Sequence, residues 1–111
     1  RSKEDWLPRK LEYLETLRAK SSDDPAMLVS LADKVHNIEA TLREFRGGTT
    51  ADAFYDQPGF NAKAPQQKWY YSTLARTFAD EFGTHEEAGK LAKRLTAAVD
   101  EIFAGVVDWQ P

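Results

Sequence analysis

The chain has 111 residues, with 15 Lys and Arg against 18 Asp and Glu, a formal net charge of −3 and no cysteine. That length fits one domain. The slightly acidic balance argues against a general nucleic-acid or anionic-membrane binder, and the lack of cysteine excludes a disulfide framework and any thiolate metal site.

No apolar run is long enough to span a bilayer and no signal peptide is visible, which points to a cytoplasmic protein. The chain begins Arg1-Ser2-Lys3 rather than with Met, as a trimmed or partial protein would.

The first segment, 4–20, carries Leu7, Leu11, Leu14 and Leu17 at steps of three and four, the period of a helix. Glu4 and Asp5 suit its positive end, and Pro8 is tolerable in the first turn. Ser21-Ser22-Asp23-Asp24-Pro25 breaks the pattern, with Asp24 placed as an N-cap and Pro25 at the first helical position. A second helix is expected from Pro25 to about Arg46, on a seam of Leu28, Leu31, Val35, Ile38, Leu42 and Phe45. Arg43 and Arg46 complement its negative end, and Gly47-Gly48 stops it.

The stretch 49–64 is the least regular, with a short helix at 50–56 followed by turn residues Pro58, Gly59 and Asn61. A further helix spans Pro65 to Phe82, with Tyr71, Leu74, Ala75, Phe78 and Phe82 inward and Gly83 closing it. Thr84 to Glu87 has the spacing of a capping box. The last helix aligns Ala88, Leu91, Ala92, Leu95, Val99, Ile102 and Phe103, and the tail Val106-Val107-Asp108-Trp109 is placed to dock on the bundle. Nothing alternates with period two. The expectation is an all-α bundle of about five helices in one domain.

The second helix also has an opposite face. Asp33 and Asn37 project away from the leucine seam, flanked by Ala26, Ser30 and Ala40. An Asp with an Asn one turn later suits a metal and an oxygen-rich ligand; a polar stripe on a surface helix gives the same pattern. Elsewhere, His85-Glu86-Glu87 reads better as a helix start than as a metal cluster. Lys34 and Arg43 suit either phosphate contacts or a charged helix edge. Trp69-Tyr70-Tyr71 suits core packing better than base stacking, because adjacent helix positions diverge. Lys68 and Arg76 flank that helix without a pattern.

Leu28-Val29-Ser30-Leu31-Ala32-Asp33-Lys34-Val35-His36-Asn37-Ile38 resembles the ADKLHN motif of HD-domain metal-dependent phosphohydrolases, in the RelA/SpoT-like branch that removes pyrophosphate from (p)ppGpp. Lys68 to Ala75 is similar to a WYYxxLA segment of small members, and Arg9 to Leu14 to the helix before the motif. The resemblance implies a partial, C-terminal HD-domain fold. It also implies Asp33 as the last ligand of a divalent metal, most commonly Mn²⁺, and Asn37 as a nucleotide contact, with Lys34 beside them taken as a second substrate-binding residue. It assigns His36 a structural place.

The family's upstream His and His-Asp pair have no counterpart here, because the two histidines, His36 and His85, are not followed by Asp. Glu39 stands where alarmone hydrolases carry Arg. The chain alone is therefore expected to hold no metal and to be inactive. Its partners are expected to be a nucleotide in the complete protein and a second copy of itself through the exposed face, with neither nucleic acid nor membrane. The alternative is a non-catalytic helical interaction module.

Overall fold

The computed structural model describes residues 5–111. Five helices follow one another: α1 (Trp6–Arg18), α2 (Pro25–Arg46), α3 (Ala51–Tyr55), α4 (Ala64–Phe82) and α5 (Glu86–Ile102). The described residues contain no strand, and none of their helices is long and apolar enough to cross a membrane. The fold is all-α. Its radius of gyration is 13.9 Å, close to the roughly 13 Å expected for a compact chain of this length.

Packing centres on α5. It lies along α2 on one side and α4 on the other, while α1 and α3 lean on α4. Leu95, Ala98, Val99 and Ile102 of α5 meet Leu31, Val35, Ile38 and Leu42 of α2 and Leu74, Phe78 and Phe82 of α4 in one buried core. The hairpin between α4 and α5 is tight. Gly89 is buried with its Cα against the Phe82 carbonyl, and a Cβ there would stand 3.1 Å from that oxygen.

Local chemistry explains the ends. Asp24 accepts from the Ala26 amide at 2.9 Å, with Pro25 opening α2. Gly48, rather than Gly47, takes the positive φ (+110°) that reverses the chain after α2. Thr50 accepts from the Ala53 amide at the start of α3. At α4 the Lys63 amide donates to Gln66 Oε1 at 2.9 Å, and Lys63 Nζ pairs with Asp56 across the preceding loop.

The tail does dock. Val106 is buried, Trp109 meets Trp69 edge-on at 5.7 Å, and Lys68 Nζ donates to the Val106 carbonyl at 2.6 Å and pairs with Asp108 at 2.8 Å.

Several placements differ from the sequence expectation. In α1 the inward positions are Trp6, Leu14 and Leu17, and Leu11 is 42% exposed. A large tryptophan at the first helical position rotates the stripe and draws Lys10 toward the interior. In α2 Met27 takes the inward place expected of Leu28, which is 44% exposed. On α4 Tyr70 is the buried tyrosine and Tyr71 is only half-buried, stacked on Phe103.

The capping box at Thr84 does not form. Helix α5 begins one residue later, His85 occupies the N-cap without a side-chain bond, and its ring meets Phe82 edge-on. Glu87 then pairs with Lys90 instead of reaching back. Glu4 lies outside the described residues.

Candidate functional site

Because α5 is wedged between α2 and α4, those helices diverge on the side away from it, and a cleft of about 450 Å³ opens there. Arg9 and Lys10 of α1 form one wall, and His36, Asn37, Ala40 and Thr41 of α2 another. Gln67, Tyr70 and Tyr71 of α4 and the Gly59–Asn61 loop complete it. The loop is fixed by rings. Phe60 meets Phe54 and Tyr55, each with centroids 5.1 Å apart, Phe54 reaches Phe45 of α2, and Tyr55 stacks on Phe103. Such pairs add about 0.5–1.5 kcal/mol each beyond the area they bury.

Asp33 is 59% exposed at the α2 edge of this region. Its Oδ2 accepts from Asn37 Nδ2 at 3.4 Å and lies 3.7 Å from Lys34 Nζ. Of the three residues that the sequence singles out, Asp33 therefore contacts both of the others. Lys34 is only 16% exposed in its side chain, and its ammonium rests over the Tyr13 ring at 5.0 Å. Asn37 lines the cleft directly. So does His36, which is exposed on the cleft margin.

A metal needs more than this arrangement. Among the described residues no group of three or more His, Cys, Asp or Glu side chains is close enough to hold an ion. One exposed carboxylate beside an amide does not fit a divalent transition metal by itself.

Glu39 behaves differently from a cleft residue. It points to α5, where Arg94 grips it with Nε at 3.0 Å and Nη2 at 2.5 Å. Hydrogen bonding to Arg94 holds its carboxyl below the usual range; burial opposes this, and the charges of Arg94, Arg43 and Arg46 add to the lowering. Its negative charge is therefore compensated on the side of α2 that faces α5. Arg43, Arg76 and the His85–Glu86–Glu87 segment take no part in the cleft lining.

Sequence reasoning missed Lys10. Its ammonium sits 4.7 Å from the Tyr70 ring centre, and burial, with Lys34 and Arg9 adding like charge, pushes its pKa down. Tyr70 and Tyr71 are pushed up by burial, and the charge of Asp33 adds to both. At neutral pH they remain neutral hydroxyls able to donate. The signal available in the sequence was Lys10 standing four residues after Trp6, one helical turn along the inward stripe.

Compared with family models, curated proteins and solved structures, the chain finds no match.

Proposed function

We propose that the chain is the C-terminal portion of an HD-type metal-dependent phosphohydrolase acting on a nucleotide of the guanosine polyphosphate kind, inactive alone because the other metal ligands are absent from it. The observation that carries this reading is the contact of Asp33 with both Lys34 and Asn37 at the edge of the α2–α4 cleft.

On this reading Asp33 would supply one ligand of a divalent metal, Mn²⁺ by preference, in the complete protein, and such a metal would supply an activated water there. Asn37 and Lys34 hold the nucleotide, and Lys34, fixed over Tyr13, also sets the position of the Asp33 carboxylate. The protein would work in the cytoplasm.

The test uses the protein at its native full length, with Mn²⁺ and a guanosine 3′-pyrophosphate nucleotide. Pyrophosphate release is expected from the wild type and none from Asp33→Ala at unchanged helicity. Turnover that survives Asp33→Ala, or no turnover in the full-length wild type, overturns the proposal.

A second reading, a non-catalytic helical interaction module, is favoured by one feature. Leu28 and Val29 are 44% and 67% exposed side by side at the start of α2.

A further inference from the structure

Two hollows on this molecule are adjacent. The cleft holding Lys10 shares Trp6, Tyr55, Gly59, Phe60 and Asn61 with a second hollow of about 510 Å³, whose remaining lining includes Pro58, Gln66 and Trp109. Their chemistry differs. The first is lined by two cations, Arg9 and Lys10, and by no carboxylate. The second is rich in rings and amides; its Asp56 and Lys63 are paired with each other.

Neither cation forms an ion pair with a carboxylate among the described residues. Arg9 Nε donates to the Asp5 carbonyl at 3.1 Å. The charges acting on Lys10 are those of Lys34 and Arg9, both positive. Asp33, whose charge reaches Tyr70 and Tyr71, is engaged with Lys34 and Asn37. A half-buried ammonium crowded by like charges and open to a cleft gains most from an anion with several oxygens. Tyrosine hydroxyls and the amides of Asn37 and Gln67 on the same walls are further donors for such oxygens.

We propose that the two adjacent hollows together bind a nucleoside di- or polyphosphate without a metal, with Lys10 and Arg9 gripping the phosphates in the α1–α2–α4 cleft and the base lying over the shared rim in the aromatic hollow beside Trp6, Phe60 and Trp109. Lys10 is the principal phosphate contact, because Tyr70 fixes its ammonium at the cleft wall. Asn61 and Gln66 offer amide donors and acceptors to the edge of a base. This deepens the function proposed above by naming what holds the nucleotide, and it rests on that reading for the reaction alone, not for the binding.

The experiment is amide-resolved NMR titration of the bare chain in excess chelator, with inorganic pyrophosphate, guanosine and GDP as separate probes. Pyrophosphate and GDP are expected to shift the amides of Arg9, Lys10 and Asn37 saturably. GDP is expected also to shift the Trp6 and Trp109 indoles and to bind more tightly than pyrophosphate. Lys10→Met, which keeps the stem packing on Tyr70, should weaken GDP binding about ten-fold or more, the loss of one charge-assisted hydrogen bond. Thermal melting of that variant checks its fold, and Arg9→Gln is the second variant should it melt early.

Binding is read in excess chelator, where no metal-dependent turnover contributes to the signal. The hydrolase reading can therefore fail, through turnover insensitive to Asp33, while this site stands. Wild-type affinity in both Lys10→Met and Arg9→Gln, or the absence of saturable shifts at these amides, overturns the site. GDP binding no tighter than pyrophosphate overturns the place of the base.

Discussion

Leu31 is fully enclosed between α2 and its neighbours, and Leu28, three residues earlier, stands nearly half in solvent. Truncating Leu31 removes apolar contacts and leaves a cavity the helices fill only in part. Leu31→Ala should therefore lower unfolding free energy by about 2–5 kcal/mol in urea titration. Leu28→Ala should cost about 1 kcal/mol or less, and equal losses at the two sites would contradict the orientation of α2.

Glu39 gives a pH test. Its folded pKa is depressed by Arg94, so the pair contributes stability that is complete above the unfolded carboxylate pKa and is lost as pH falls through the depressed value. The wild type should be more stable than Glu39→Gln at neutral pH. The difference should shrink toward zero in acid, and a gap that widens as pH falls would reverse the assignment. The pair is partly exposed, so the difference is modest and salt-sensitive.

At the scale of elements, most boundaries were legible because the signals are local. Asp24-Pro25, Gly47-Gly48 and Thr50 each act within a turn of their own position. What a helix wheel does not carry is which neighbour an element meets. Trp6 turned α1 because it packs against Trp69 and Tyr70, sixty and more residues away, with centroids 6.3 and 6.1 Å off. The cleft was illegible for the same reason: its walls come from α1, α2, α4 and a loop. Asp33, Lys34 and Asn37 stood out because they lie within one turn, and Lys10 did not because its meaning depends on Tyr70.

The docked tail offers a test at this scale. Lys68→Ala removes the donor to the Val106 carbonyl and the partner of Asp108, whose carboxyl that lysine holds below its usual pKa. Faster amide exchange across residues 106–109 and red-shifted Trp109 emission are expected, with the helix content unchanged. Exchange as slow as in the wild type would show that Trp109 packing alone retains the tail.

For the whole molecule, the face of α2 bearing Ala26, Ser30, Asp33, Asn37 and Ala40 lies exposed or half-exposed, bordered by the exposed Val29. If the rest of a catalytic domain normally covers this face, the bare chain should self-associate through it, because a large contiguous apolar patch is rarely left open on a stable monomer. Sedimentation equilibrium should show a dimer that Val29→Lys dissociates. A monomer at high concentration would favour a self-sufficient interaction module. Calorimetric titration with Mn²⁺ should give no tight binding to the bare chain, since one carboxylate supplies too few ligands; a tight site would mean that ligands come from a second copy.

The central place of α5 bears on how the polypeptide is made. During synthesis α1 to α4 emerge before the helix against which α2 and α4 pack, and their inward faces wait for it. Nascent chains stalled at Gly83 should remain protease-sensitive and be held by chaperones, whereas chains extended past Val106 should become resistant in one step. The organisation of the bundle thus sets a late, single checkpoint in vectorial folding, and it makes the newly exposed α2 seam the segment most prone to misassembly while translation pauses.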